Sequence, residues 1–249
     1  MQKKVSVIIP YYKNIKYIFK SVQSVLRQKY KNIEIILIYD DENQSGLEQL
    51  LKRYSKIKNF IFIINKQNLG VAISRNKGLK IVKGYYTAFL DSDDYWKINK
   101  LNCQIKFMEK HSLDFSYTAY DTLKENNKHK NDIKTKYNYD ELIKKCDIGL
   151  STVIIKSKMI KKGMFPDIKT QEDYALWLRY FRSGAKVMGL NKSLSVWRNT
   201  PNSLSSNYFQ KIRDAFRVYH KYEKKNVLES VFSVMLLSFN KIKNILYFK

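Results

Sequence analysis

Four short runs rich in β-branched and aromatic residues, Val5–Ile9, Ile33–Ile38, Phe60–Ile64 and Tyr85–Leu90, punctuate the first ninety residues, and longer polar or amphipathic stretches separate them. That alternation is the pattern of βαβ units, so the expected fold class is α/β: a largely parallel sheet covered by helices. Between the first two runs, Lys16–Gln28 carries Ile18, Val22, Val25 and Leu26 at the spacing of a helix with one buried face. A second helix is predicted over Gly46–Ser55, and a third from Val71 to Gly84, with Gly84 as its C-terminal cap. Beyond residue 95 the alternation loosens. Helices are predicted at Lys97–Lys110, Tyr139–Lys145 and Glu172–Arg182, and strands at Asp114–Tyr120, Ser151–Ile155 and Leu194–Arg198. The polar stretch Thr122–Asn138 reads as a surface loop, and two helices, Tyr208–Lys224 and Val227–Tyr247, complete the pattern.

Composition removes several function classes. With 44% hydrophobic and 14% aromatic residues in 249, the chain carries too much apolar surface to stay disordered, and 8 Gly and 3 Pro exclude collagen-like or low-complexity architectures. Two cysteines, Cys103 and Cys146, supply neither a disulfide framework nor a four-ligand zinc site, which suits a reducing compartment. No segment reaches the roughly 18 consecutive apolar residues of a bilayer span, and the first apolar run is too short for a signal peptide, so a cytoplasmic location is expected. The 47 Lys and Arg against 22 Asp and Glu give a net charge of +25, which suits an anionic partner. Those basic residues are spread along the whole chain with no nucleic-acid-binding motif, so nucleic acid is not an expected partner.

In an open parallel sheet, ligands sit beyond the C-terminal ends of the strands, where polar residues are the ones to question. Asp40 and Asp41 follow the second run, Asp91-Ser92-Asp93-Asp94 follows the fourth, and Glu172-Asp173 opens a later helix. Any one of these alone reads equally well as a turn or cap. Alternation, however, puts Asp91 and Asp93 on the same side of an extended segment, where two carboxylates repel unless a cation lies between them. One or two carboxylates plus substrate phosphates is the usual magnesium arrangement.

Several stretches occur in a recognisable order: Val5-Ser6-Val7-Ile8-Ile9-Pro10-Tyr11-Tyr12-Lys13-Asn14, Ile35-Ile36-Leu37-Ile38-Tyr39-Asp40-Asp41, Asn68-Leu69-Gly70-Val71-Ala72-Ile73-Ser74-Arg75-Asn76, Phe89-Leu90-Asp91-Ser92-Asp93-Asp94, Gln171-Glu172-Asp173-Tyr174-Ala175-Leu176-Trp177, and Trp197-Arg198 with Ser203 and Ser205 downstream. On these motifs the chain resembles inverting family 2 glycosyltransferases with the GT-A fold, from Val5 to about Ser205. The resemblance implies a Rossmann-like mixed sheet with flanking helices, a nucleotide-binding half at 1–95, an acceptor-binding half at 96–205 and a basic helical extension at 206–249. It places Pro10, Tyr11, Asp40 and Asp41 around the nucleobase and ribose, with Asp40 as the base contact. Asn68, Gly70, Arg75, Asn76, Asp91, Ser92 and Asp93 complete the nucleotide-sugar site. Asp91 and Asp93 would hold a divalent manganese or magnesium ion, Asp93 more directly, and that ion would neutralise the departing nucleoside diphosphate. Asp173 is the implied general base that activates an acceptor hydroxyl. Glu172 would orient it or touch the acceptor, and Trp177 is either an acceptor platform or core.

The implied reaction transfers a sugar from a nucleoside-diphosphate donor, UDP-linked, to a hydroxyl of a surface glycan or lipid-linked oligosaccharide. Two departures stand out. Asp40-Asp41 is followed by Glu42-Asn43 where relatives often have Gly-Ser, and Thr200 occupies a position where relatives often carry a metal- or phosphate-proximal His. A nucleotidyltransferase would also use a parallel sheet, a metal and a nucleotide, but Pro10-Tyr11-Tyr12-Lys13-Asn14 lacks the Gly-rich loop such enzymes place after strand one. The apolar Val227–Tyr247 segment with Lys241 and Lys243 leaves three roles open: lying on the inner face of the cytoplasmic membrane, packing on the catalytic domain, or joining two subunits.

Overall fold

The computed structural model describes residues 2–124, 127–199 and 207–247, with side chains described as far as Asn240. Thr200, Ser203 and Ser205 therefore lie outside the described residues. The elements run β1 (Val5–Tyr11), α1 (Ile15–Leu26), β2 (Ile33–Tyr39), α2 (Leu47–Tyr54), β3 (Phe60–Ile64), α3 (Val71–Leu79), β4 (Tyr86–Phe89), β5 (Tyr95–Trp96) and α4 (Lys100–Lys110). They continue with β6 (Phe115–Lys124), β7 (Asn127–Asn131), α5 (Tyr139–Leu142), β8 (Ile154–Lys156), α6 (Glu172–Arg182), β9 (Val187–Arg198), α7 (Tyr208–Arg217) and α8 (Val227–Tyr247). The described strands form one mixed sheet in the order β3-β2-β1-β4-β8-β6-β9-β5, with β7 paired to β6. The pairs β3-β2, β2-β1 and β1-β4 are parallel, and β8 runs antiparallel to both β4 and β6.

All seven residues of β1 are buried, as expected of a central strand covered on both faces. Alternation divides its side chains between two cores. Val7 and Ile9 pack with Ile18, Val22 and Val25 of α1, Leu50 of α2, and Leu101, Ile105 and Met108 of α4. Ile8, on the other face, shares a core with Ala72 of α3, Tyr174 and Trp177 of α6, Ala215 of α7 and Leu237 of α8. The C-terminal helices thus belong to the same hydrophobic layer as the helix that carries Glu172 and Asp173. Within this layer α3 lies close to the sheet because Gly78 has no side chain: a Cβ there would stand 3.0 Å from Ile38 Cδ1 and 3.2 Å from Ile8 Cγ2.

Several expectations change, and one short strand was not anticipated. The third helix stops at Leu79, not Gly84; Gly84 instead lets its N–H reach Ser6 Oγ at 2.8 Å, and a Cβ there would meet the Ser6 backbone nitrogen at 2.5 Å. Residues 122–138 are not simply a loop, because β6 continues to Lys124 and pairs antiparallel with β7, from Tyr120↔Asn131 to Lys124↔Asn127. The last strand begins at Val187, seven residues before the predicted start, and runs parallel to β6 with register shifts around Ala119. Finally, Tyr95–Trp96 forms a two-residue strand against Val196 and Ser195.

Candidate active site

The ends of β1 and β2 are aromatic. Tyr11, ending β1, stacks on Tyr39, ending β2, with ring centroids 4.9 Å apart, and both hydroxyls donate to the Ser45 carbonyl at 2.9 Å. Burial, with the nearby Asp41 charge adding to it, pushes the Tyr11 hydroxyl up to about 12, so it stays a neutral donor. Pro10 is buried in the strand opposite Ile38.

Asp40 and Asp41 take different parts. The Asp40 carboxylate accepts from Asn65 Nδ2 at 2.7 Å and from the Leu69 and Gly70 amides at 2.9 and 3.0 Å, so it ties down the loop entering α3. Asn68 finishes that turn by accepting the Gly70 amide at 2.9 Å. Asp41 accepts only the Asn43 amide through Oδ1, and its Oδ2 is buried without a partner among the described residues. A buried carboxylate oxygen lacking a donor is costly, and a ribose hydroxyl or base N–H would satisfy it. The Asp40 carboxylate is thus occupied within the protein, and the open acceptor oxygen lies on Asp41.

At the end of β4 the chain turns at once. The Asp94 amide donates to the Asp91 carbonyl at 3.1 Å, so Asp91 to Asp94 form a turn and not the extended segment expected above. Ser92 Oγ accepts from Asn14 Nδ2 at 3.3 Å, and the Asp91 amide donates to Ser151 Oγ at 3.1 Å. Arg198 closes the turn from β9: its amide donates to Asp94 Oδ1 at 2.9 Å and its Nε to the Asp93 carbonyl at 3.0 Å. Burial, then the charges of Asp93 and Asp91, hold the Asp94 carboxyl well above the usual range. That excess of negative charge suits a cation. Among the described residues no three His, Cys, Asp or Glu form a ready-made cage, and a hard divalent ion held here by Asp91 and Asp93 would need phosphate oxygens of a substrate to complete its shell.

Arg75 joins this turn to the second carboxylate pair. Its side chain is buried on α3, donates through one terminal nitrogen to Asp91 Oδ1 at 2.7 Å and through the other to Glu172 Oε1, and lies 5.4 Å from the Phe165 ring centroid. Although burial alone would lower its proton affinity, Asp91 and Glu172 hold the guanidinium above an ordinary arginine. Glu172 itself is buried and remains raised despite that partner. Beside it, the half-buried Asp173 is pushed up to about 7, first by burial and then by the Glu172 charge. A carboxylate poised there can accept a proton near neutral pH.

Two expected ligand residues are engaged within the protein. Asn76 holds the Phe165 peptide, donating to its carbonyl at 2.8 Å and accepting its amide at 3.0 Å. Trp177 is 1% exposed among Phe89, Phe115 and Phe165, so no ring face is available to an acceptor sugar. Sequence reasoning also missed two supports. Buried Lys100 donates to Gln104 Oε1 at 2.7 Å and to the Thr152 carbonyl at 3.3 Å, steadying the turn that presents Ser151. Asp214 of α7, fully buried, accepts from the Thr170 amide and hydroxyl at 3.0 Å each and from Gln210 Nε2 at 2.8 Å. Thr170 precedes Gln171, whose left-handed backbone (φ 61°) launches the helix bearing Glu172 and Asp173. The signal was a lone carboxylate on the buried face of an amphipathic helix, beside Ala215 and four residues before Val218. Asp214→Ala is expected to cost about 1.5–3 kcal/mol in urea denaturation, the range for hydrogen bonds to a charged group, and to lower kcat more than it raises KM for the donor.

Comparison with known proteins agrees with this arrangement. The Glycosyl transferase family 2 description matches residues 6–169. A protein of Bacillus subtilis named for teichuronic acid biosynthesis, the glycosyltransferase TuaG, is 34% identical over 246 residues, covering 96% of each chain. The Escherichia coli enzyme named UDP-Glc:alpha-D-GlcNAc-diphosphoundecaprenol beta-1,3-glucosyltransferase WfaP is 39% identical over 217 residues, covering 84% of this chain and 82% of its own. Among solved structures, S. aureus TarS 1-349 in complex with UDP-GlcNAc superposes with a TM-score of 0.73 at 20% identity, covering 91% of this chain and 69% of that one. The Pyrobaculum calidifontis mannosyltransferase PcManGT, in complex with GDP-Man and Mn2+, superposes with a TM-score of 0.68 at 13% identity, covering 94% of this chain and 70% of that one. The two solved structures share the GT-A-like fold, and the family match together with the curated relatives assigns the chemistry: this chain belongs to glycosyl transferase family 2 and is a glycosyltransferase.

Proposed function

We propose that the enzyme transfers a sugar from a UDP-sugar to a hydroxyl of a lipid-linked glycan, with inversion at the anomeric carbon and with Asp173 as general base. The observation that carries this reading is Arg75, whose guanidinium bonds Asp91 on one side and Glu172 on the other. A single buried side chain thus fixes the strand end that would meet the diphosphate next to the helix start that would meet the acceptor. Tyr11, Tyr39 and the unsatisfied Asp41 oxygen form the nucleoside end. WfaP, by its name, uses UDP-glucose and a diphosphoundecaprenol-linked acceptor, which favours the same donor and acceptor classes here.

Each residue has a chemical task. Glu172, held by Arg75, supplies the fixed neighbouring charge that helps keep Asp173 near neutrality, where Asp173 takes the hydroxyl proton as the acceptor oxygen attacks. A divalent ion bound by Asp91 and Asp93 would offset the charge gathering on the leaving diphosphate. The Asp93 backbone is held in place by Arg198 and that of Asp91 by Ser151. Direct displacement on the face opposite the leaving group gives inversion.

The test is nucleoside-diphosphate release from a panel of sugar nucleotides with manganese or magnesium present. UDP release from one donor is expected to be abolished by chelator and reduced at least about 100-fold in Asp93→Ala, the scale of losing an electrostatic contact that acts in the transition state. Pyrophosphate as the product would instead identify a nucleotidyltransferase. The absence of both binding and turnover with every sugar nucleotide tested would overturn the reading.

A further inference from the structure

The last helix presents two unlike faces. Ser230, Ser233 and Leu237 of α8 are buried, and Asn240 Nδ2 donates to the Lys144 carbonyl at 3.0 Å, so this side is fastened to the domain. The other side is open. Leu228 is 83% exposed, Phe232 67% and Phe239 65%, with Val231 and Met235 also exposed between them. At 100° per residue these five fall in one stripe about 100° wide and about 16 Å long, and the same spacing continues in sequence through Ile242 and Leu246. On the preceding helix Phe209, 88% exposed, and Ile212 are exposed as well.

Polar partners for such a stripe are absent by chemistry, since all five side chains are hydrocarbon or thioether. Charge decides between the remaining occupants. Residues 207–249 hold nine Lys and Arg against three Asp and Glu, one of which, Asp214, is buried, and Arg213, Lys221 and Lys224 are exposed. Two copies meeting face to face would bring molecules of net charge +25 together, which opposes association. An anionic lipid surface gains from both the apolar stripe and the lysines. No helix among the described residues is long and apolar enough to cross a membrane, so α8 would lie along the surface.

We infer that α8 docks the enzyme on an anionic bilayer, with Leu228, Val231, Phe232, Met235 and Phe239 entering the headgroup region. This names the partner of the proposed lipid-linked reaction and rests on that reading for its purpose, although binding itself is independent of turnover. Because α7 and α8 share a core with α6, docking would hold the base-bearing helix at the surface where a lipid-linked acceptor resides.

The test is co-sedimentation of the full chain with phosphatidylcholine/phosphatidylglycerol vesicles at physiological salt. Wild type is expected to bind these vesicles, to bind pure phosphatidylcholine more weakly, and to dissociate as salt rises. F232Q/M235Q and, separately, L228Q/F239Q are expected to bind at least about tenfold less while melting at the wild-type temperature, since each residue lost leaves apolar area out of the lipid. Wild type that stays in the supernatant, or variants that sediment like wild type, would overturn the inference. So would a wild-type dimer that the same variants dissolve, because the stripe would then be an interface between copies. Vesicle-free donor hydrolysis, unchanged in these variants, separates a failure of docking from a failure of the transfer reading.

Discussion

Asp173→Asn is expected to lower turnover by about 10²–10⁴-fold, the usual contribution of a positioned general base, while leaving donor binding unchanged. The amide keeps the shape and loses the ability to take a proton. In the wild-type enzyme, activity should rise with pH to a plateau, with its midpoint at the Asp173 value of about 7, because only the ionised carboxylate accepts the acceptor proton. Folding should respond in the opposite direction. A carboxyl whose folded value lies above its unfolded one stabilises the fold fully at low pH, below its unfolded value, and loses that contribution as pH rises through about 7. The asparagine variant therefore becomes the more stable protein above pH 7, although it turns over far more slowly. A pH series of thermal melts beside a pH-rate profile checks both halves. Turnover within tenfold of wild type would remove Asp173 from the role of base.

How much of this was legible beforehand follows from the range of the forces involved. β1 and β2 were readable to within a residue or two at each end because burial on both faces writes itself as continuous apolar runs such as Val5-Ser6-Val7-Ile8-Ile9. β7 was not, because Asn127-Lys128-His129-Lys130-Asn131 has no apolar side chain and is a strand only through its backbone bonds to β6. The first half of β9 escaped for a related reason: Gly189, Asn191 and Lys192 break the alternation where the register with β6 shifts. At the site, residue types announced the carboxylates, but a side chain's partner is a tertiary fact. Asn76 meets Phe165 from 89 residues away, and Asp214 meets Thr170 from 44, and neither distance leaves a periodic trace. Asp40 shows the same limit, since nothing local in the sequence reveals that its carboxylate ties down the loop at Leu69 and Gly70.

Arg75 is where the largest stability effect is expected. Arg75→Met keeps the volume and removes the cation, leaving Glu172 buried beside Asp91 and Asp173 with no counter-charge, and should destabilise the fold by about 3–5 kcal/mol, the cost of breaking a buried pair from one side. The penalty has a pH signature. Burial already holds Glu172 above an ordinary glutamate even with Arg75 present, and removing the guanidinium raises it further. A raised carboxyl is neutralised first as pH falls, so the deficit should be greatest at alkaline pH and narrow in mild acid. Glu172→Gln added to Arg75→Met should recover part of the lost stability at pH 8 and none of the activity, because the link between the Asp91 turn and the base-bearing helix stays broken. Arg75→Lys should fail catalytically as well, since one ammonium cannot reproduce two terminal nitrogens directed at two separate carboxylates. Urea denaturation across pH, with UDP release measured on the same samples, separates these outcomes. A pH-independent loss below about 1 kcal/mol, the range of an exposed surface pair, would mean that Arg75 does not bind the two halves of the site together.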